Sequence, residues 1–307
     1  YDARLSDDVA YRDSAKEKDD AGYWGQVFEQ TPMVADLTFG HGEVAITADT
    51  AIRIQDAMPD AFEQHLAQLC ERDNLAWPDV LTALAAAYIC RHTANSETVI
   101  GVPHMGRMGQ ACARIPATVM NVLPLRVLVP EEKPLTAFLL DVTRQLRQVR
   151  RHGRYRSEQL RRDLGLLGGH KRLYGPSVNI LPFDCAQLDL PGLQTIRHTL
   201  GNGPVEDLTI TFRADALGRG IRIELDANPQ RYSQMDVRTH MQRLMHFLNA
   251  ALSAQTLAQV PTLTPVEAKH WVCTCNNTAH DVPQTTLVHL MAQRWEQTPQ
   301  AVALSYE

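Results

Sequence analysis

The sequence predicts an α/β fold, a sheet with helices packed on it. Three observations carry this. Ile221, Ile223 and Leu225 alternate with Arg222, Glu224 and Asp226, the period-two pattern of a half-buried strand. Segment 77–92 gathers Val80, Leu81, Leu84, Ala87 and Tyr88 on one broad apolar face, as a core helix does. Strand-like and helix-like segments also succeed one another along the chain, the order of an α/β domain.

The elements follow in order. Residues 1–35 are polar and charged, with one amphipathic piece at Tyr23, Trp24, Val27 and Phe28. His41 to Ala48 alternates and reads as a strand. Ala61 to Cys70 reads as a helix with Phe62, Leu66 and Leu69 on one stripe. Pro78 sits in the first turn of helix 77–92, where its missing N–H costs nothing. Strand signals follow at 98–103 and 119–129. Pro134 opens a long helix that turns Phe138, Leu139, Val142, Leu146 and Val149 inward. Further strands are predicted at 176–183, 194–199, 207–213 and 219–227, the last two joined as a hairpin by Ala216–Gly220. Ser233 caps a final long helix carrying Val237, Met241, Leu244, Met245 and Leu248. From Pro261 the pattern breaks into a linker. A fresh amphipathic helix (Leu287, Leu290, Met291, Trp295) and the run Ala301–Leu304 then look like the start of another domain.

Composition excludes several classes. With 44% hydrophobic and 21% charged residues, the 307-residue chain suits one large or two smaller soluble domains. A net charge of −5 gives no global attraction to nucleic acid or anionic membrane. No apolar run reaches the roughly 20 residues that span a bilayer. The start Tyr1–Leu5 has neither a signal sequence nor a Met, so the chain is expected to begin inside a longer protein. Six scattered cysteines fit a reduced, cytoplasmic protein. Cys273 and Cys275 are the only close pair; they lack a second Cys or His pair at zinc spacing, so no metal site is expected.

Phosphate-loop, nucleophile-elbow and zinc-protease motifs are absent. His240 and His246 read as ordinary surface histidines on different faces of one helix. Arg144, Arg147, Arg151 and Arg154 belong to the strongest charge feature, which extends to Arg162. They fit a solvated helix face, a docking surface for an acidic partner or, less well given limited aromatic interleaving, nucleic-acid binding. Arg107 leaves a strand broken by Gly101 and Pro103; it is either a plain surface arginine or a group that reaches across an interface to a carboxylate. Asn121, flanked by Val119, Met120, Val122 and Leu123, is an edge residue or a buried amide in need of partners.

These segments carry a resemblance. Ile100-Gly-Val-Pro…Arg107, Val119-Met-Asn121, Tyr174-Gly-Pro-Ser-Val-Asn-Ile-Leu-Pro-Phe183, Gly203-Pro-Val-Glu-Asp-Leu208 and Ala227-Asn-Pro-Gln-Arg-Tyr232 resemble the C-terminal lobe of a condensation domain of nonribosomal peptide synthetases. The wording is nearest the serine-activating, enterobactin-synthase-type subunit of catecholate siderophore synthesis. Asp281 to Ala301 resembles the start of its adenylation domain. The resemblance implies a chloramphenicol-acetyltransferase-like two-layer sandwich, a mixed sheet covered by helices. It implies 1–35 as an inter-lobe segment, 36–257 as the lobe, 258–284 as a linker and 285–307 as the adenylation start.

In that family a His-His-x-x-x-Asp-Gly motif on the N-terminal lobe is the reaction centre. Here no two histidines are adjacent and no Asp-Gly occurs, so no catalytic residue is expected in this chain and it should be inactive alone. The resemblance implies amide formation between an aryl thioester of the 2,3-dihydroxybenzoyl kind and serine, both on phosphopantetheine arms of aryl and peptidyl carrier proteins. Phosphopantetheine would thus arrive with partners and not be bound as a cofactor. Arg107 would pair with the N-lobe aspartate. Asn121 would lie near the tunnel centre and hold an acyl or pantetheine group. A lobe without its twin should expose a large apolar patch, or have it covered by a neighbouring molecule. Two alternatives remain: a carrier-docking module without catalysis, and an epimerisation-type relative, against which the adenylation-like segment 285–307 argues.

Overall fold

The computed structural model describes residues 2–30, 34, 37–38, 48–106, 119–167, 171–182, 192, 203 and 205–306. It divides into two compact units, Tyr1–Thr264 and Pro265–Glu307. In chain order the first unit holds α1 (Asp2–Tyr11), α2 (Ala15–Val27), β1 (Ile52–Ala57), α3 (Asp60–Asp73), α4 (Trp77–Thr93), β2 (Glu97–His104), β3 (Asn121–Leu128), α5 (Leu135–Arg151), α6 (Ser157–Asp163), β4 (Ser177–Leu181), β5 (Leu208–Arg213), β6 (Arg222–Ala227) and α7 (Gln234–Ala251).

The six strands form one mixed sheet in the order β1-β6-β5-β4-β2-β3. The pairs β2–β3, β5–β6 and β1–β6 are antiparallel, whereas β4 runs parallel to both β2 and β5. Helices α4, α5 and α7 pack on the sheet and on one another, α4 between the other two. Ile100, Leu125, Val178, Ile210, Phe212, Ile223 and Leu225 join them in one core. Helix α4 is buried continuously from Asp79 to Cys90, more completely than one amphipathic face requires, because it has neighbours on every side. Its turn into β2 uses Ala94 in the left-handed region at φ 53°. A full capping box starts α7: Ser233 Oγ accepts from Asp236 N at 3.2 Å, and the Asp236 carboxylate accepts from Ser233 N at 2.8 Å.

The hairpin read from Ala216–Gly220 joins β5 and β6. Asp215 organises it, its carboxylate accepting from Leu217 N and Arg219 N at 2.8 and 2.9 Å. Gly218 needs its φ of 77°, and a Cβ there would come within 3.0 Å of the Trp77 ring. Of the expected strands, 194–199 lies outside the described residues. So does His41–Ala48 apart from Ala48, which bridges to Val205. The sequence reading missed β1, a six-residue edge strand with little apolar signal that takes its place by pairing with β6. The polar N-terminal stretch forms two helices, and Trp24 and Phe28 enter the core.

The histidine reading needs correction. His240 is 2% exposed, not a surface group. Its Nε2 lies 3.0 Å from the Leu37 carbonyl and its Nδ1 2.8 Å from Tyr88 Oη. With Nε2–H donating to the carbonyl, Nδ1 accepts from the tyrosine, and the ring is neutral. Burial pushes its pKa down to about 4.

The face of the sheet opposite α4 and α7 is polar. Register places Arg53, Asp226, Thr209 and Ser177 in one row and Gln55, Glu224, Thr211 and Asn179 in the next. Exposed large apolar residues of this unit are dispersed over α1, β3, α5, α7 and turns, with Met105 and Met120 together at the β2–β3 end. The large apolar patch expected of the lobe is therefore not present among the described residues, since polar rows occupy the sheet face that no described long helix covers.

The second unit contains α8 (Pro265–Lys269), a π turn (His270–Thr274) and α9 (Leu287–Gln297). Thr286 Oγ1 caps α9 by accepting from His289 N. Its apolar stripe is solvent-exposed, with Leu287 at 73% and Trp295 at 57%.

Candidate functional site

Two glycines draw the end of β2 tight. A Cβ on Gly101 would stand 2.6 Å from the Tyr174 ring, so only glycine lets that ring lie against the strand. A Cβ on Gly153, in the loop after α5, would come within 2.9 Å of both Leu123 and His104. At the tip His104 faces Asn121 across the ladder. The 7%-exposed Asn121 donates from Nδ2 to the carbonyls of Gly153 (3.0 Å) and Tyr155 (2.8 Å), and its Oδ1 accepts from Ser157 N (3.2 Å). One amide thus ties the β3 start to the whole α5–α6 loop.

A second clasp holds the same loop from the N-terminal side. Asp20, fully buried, accepts from Tyr11 Oη and His152 Nδ1, each at 2.7 Å, and from Lys16 Nζ. The His152 ring stacks on Tyr23 at 4.1 Å, and Trp24 Nε1 donates to the His152 carbonyl at 3.1 Å. Burial and the hydrogen bond to the Asp20 carboxylate raise the Tyr11 pKa, so the phenol stays protonated. Asp19, Asp20 and His152 place ligand atoms within 4.8 Å of one another. The Lys16 ammonium, however, already lies against Asp20 and meets the charge a cation would have to meet.

Between these clasps opens a cleft of about 830 Å³ lined by α1, the strand tips, the loop and α6. Its α5–α6 side is cationic, with Arg150, Arg151, Arg154 and Arg162. Arg150 pairs with Asp79 at 2.8 Å. His104, the imidazole in the wall, is half-buried, and burial together with the Arg150 charge lowers its pKa, favouring the neutral ring. Among the described residues the cleft shows no nucleophile–base pair.

Of the sequence-derived site residues, Arg107 lies outside the described residues. Asn121 is buried as a strand amide, with both donor hydrogens committed to backbone carbonyls; the loop it shapes, not the amide's own donors, is what the cleft offers. Arg144, Arg147 and Arg151 lie exposed along α5, Arg144 bridging to Asp141. Arg154 is not part of that open row: it pairs with Asp7 at 2.8 Å and lies over the Tyr11 ring at 4.4 Å. Sequence reasoning passed over His104 and the Asp20–His152 clasp. His104 was visible in Ile100–Arg107 as the imidazole beside the glycines; Asp20 and His152 are 132 residues apart and leave no local pattern.

The mixed six-stranded sheet with helices packed on it, its strand tips holding a tied loop beside a cleft, is an α/β fold of the chloramphenicol-acetyltransferase-like kind. The sequence profile described as "Condensation domain" matches residues 6–270. The chain belongs to the condensation-domain family. It is similar to a dimodular nonribosomal peptide synthase of Bacillus subtilis (34% identity, 98% of this chain, 13% of that protein). It also resembles enterobactin synthase component F of Escherichia coli (33%, 96% of this chain, 23% of that protein). Among solved structures it matches the first condensation domain of the calcium-dependent antibiotic synthetase with a TM-score of 0.74 and 28% identity, covering 84% of this chain and 56% of that one. The starter condensation domain of rhizomide synthetase matches with a TM-score of 0.65 and 28% identity, covering 85% and 58%. The chain therefore spans under a quarter of these curated relatives and little more than half of the solved domains. Among the described residues no helix is long and apolar enough to cross a membrane.

Proposed function

We propose that this chain is the C-terminal lobe of a nonribosomal peptide synthetase condensation domain, followed by a linker and the start of an adenylation domain. The intact domain would join an aryl thioester of the 2,3-dihydroxybenzoyl kind to a carrier-bound serine during siderophore synthesis. Phosphopantetheine arms of aryl and peptidyl carrier proteins would present both substrates. The observation that carries this reading is the fit of 84% of the chain onto just 56% of a solved condensation domain, in a sequence without adjacent histidines or an Asp-Gly pair. Similarity to enterobactin synthase component F supports the aryl and seryl assignment. The lobe's contribution is orientation: holding amine and thioester together supplies several kcal/mol without a reacting side chain. Arg107 would brace the histidine-bearing lobe, and Asn121 would set the loop beside the channel.

The test is reconstitution of the synthetase that contains this chain with aryl-loaded and seryl-loaded carriers, the amide being detected by mass spectrometry. Product from the synthetase and none from the 307-residue chain alone is the expected result. Absence of product from the synthetase, or product from the chain alone, overturns it.

A second reading rests on the exposed Arg144, Arg147 and Arg151: a docking face for acidic carrier proteins. Capture of a carrier at low salt that is lost at high salt supports it, and absence of capture at both removes it.

A further inference from the structure

The described cysteines divide into two kinds. Cys70 and Cys90 lie on α3 and α4, and burial pushes their thiols up to about 11 and about 12, so they stay protonated at neutral pH. Cys273 and Cys275 are exposed in the second unit. Cys275 meets an imidazole: its Sγ lies 3.4 Å from His270 Nε2, a hydrogen-bond distance for sulfur. Cys112 and Cys185 lie outside the described residues.

The π turn builds this pair. In an α-helix, with about 3.6 residues per turn, side chains five apart point to different sides. Here Cys275 N donates to the His270 carbonyl at 2.9 Å, the i→i+5 bond of a π turn, and residues 270 and 275 come over one another. Asn276 Nδ2 closes the turn by donating to the carbonyls of Trp271 and Val272, at 2.9 and 3.1 Å. The His270 ring meets Trp271 edge to face, with centroids 5.2 Å apart. Cys273 stands apart from the pair: its sulfur, the Cys275 sulfur and the imidazole do not all lie within 4.8 Å of one another, so the three form no metal site.

The thiolate, not the thiol, is the sulfur nucleophile. In the tautomer with Nδ1 protonated, His270 Nε2 is an acceptor aimed at the Cys275 thiol. Both side chains are exposed, so a small reagent in solution reaches the sulfur directly.

We propose that His270 and Cys275 form a thiol-modification site that exchanges with low-molecular-weight disulfides. His270 Nε2 takes the Cys275 proton as the sulfur attacks one sulfur of the disulfide. A Cys275 mixed disulfide forms, the reagent's S–S bond breaks, and the departing thiolate takes up the proton from His270. One protein thiol and one disulfide thus give one mixed disulfide and one free thiol, with no other oxidant. The adduct is reversible and adds bulk at the turn between α8 and the segment leading to α9. Amide formation on the condensation reading uses neither side chain.

The experiment treats the 307-residue chain with glutathione disulfide at neutral pH and follows each cysteine by fragment-ion mass spectrometry after digestion. Cys275 reacts about tenfold faster than Cys273, less than the roughly hundredfold or more that general-base assistance gives in closed sites. His270→Gln lowers the Cys275 rate to that of Cys273, whose own rate stays within about twofold. Cys70 and Cys90 stay unmodified in both proteins, which reports that the first unit is folded. In urea the Cys275 and Cys273 rates converge, because the turn makes the pair. That comparison needs no variant and carries the test should His270→Gln fail to fold. Equal rates at Cys275 and Cys273 in the native chain overturn the site, as does an undiminished Cys275 rate in folded His270→Gln.

Discussion

The Asn121 clasp and the arginine row of α5 lie close together in the chain and behave oppositely. At the clasp every donor is used: one buried amide satisfies two carbonyls and one N–H of the α5–α6 loop. Along α5, Arg147 and Arg151 extend into solvent, and Arg144 has only a surface partner. Burial makes the first group costly to disturb and exposure makes the second cheap, so the clasp belongs to the architecture and the arginines are free to serve a partner.

The largest effect that would break this contrast comes from Asn121→Ala. It strips three backbone groups of their partner, and a loss of about 3 kcal/mol is expected in chemical denaturation. A loss under about 0.5 kcal/mol would mean the loop is held by the Asp20–His152 side alone.

A second closed polar site sharpens the point through pH. His240 has a folded pKa near 4, below the 6.5 of a free imidazole. The unfolded chain therefore binds more protons between those values, and stability falls as pH drops through that window. Between pH 7 and pH 5 the loss from this group is on the order of 2 kcal/mol. His92, whose pKa burial also lowers, acts in the same direction. Melting temperature against pH reads the effect, and a His240→Gln variant should flatten the curve; an unchanged slope would refute the assignment.

Gly101→Ala forces a methyl into the Tyr174 ring and should cost about 1–2 kcal/mol, partly recovered by adding Tyr174→Leu. Recovery would show that close approach, not backbone freedom, fixes the glycine. At the small end, Arg147→Glu combined with Arg151→Glu should change stability by less than about 0.5 kcal/mol. If the face docks an acidic carrier, the same double variant weakens carrier binding measured at low salt. A large stability change instead would erase the distinction between clasp and row.

Much of the fold was legible because periodicity is local. Ile223 and Leu225 against Glu224 and Asp226, the stripe of α5, the Ser233 cap and the Ala216–Gly220 hairpin each declare themselves within a few residues. The resemblance drew on equally short strings, and the family match bears out the condensation-domain identity. The site was less legible. The buried character of Asn121 was readable from its apolar flanks, but its partners lie more than thirty residues on, at Gly153, Tyr155 and Ser157. Arg154 looked like one more cation of the row until α1 supplied Asp7.

The sequence alone thus determined most of the long helices and central strands, though not β1, α1 or α6, together with the β5–β6 turn and the apolar face of each element it read, since backbone preference and side-chain alternation act over a few residues. Tertiary structure decided the rest: that β4 runs parallel between β2 and β5, that edge strand β1 joins β6, and that His240 is a neutral core group held by Tyr88 from 152 residues away. It also aligned the polar residues of β1, β6, β5 and β4 into rows across the sheet. Those outcomes depend on which distant groups meet and how much water they lose on meeting, and neither quantity is written in any short stretch of the chain.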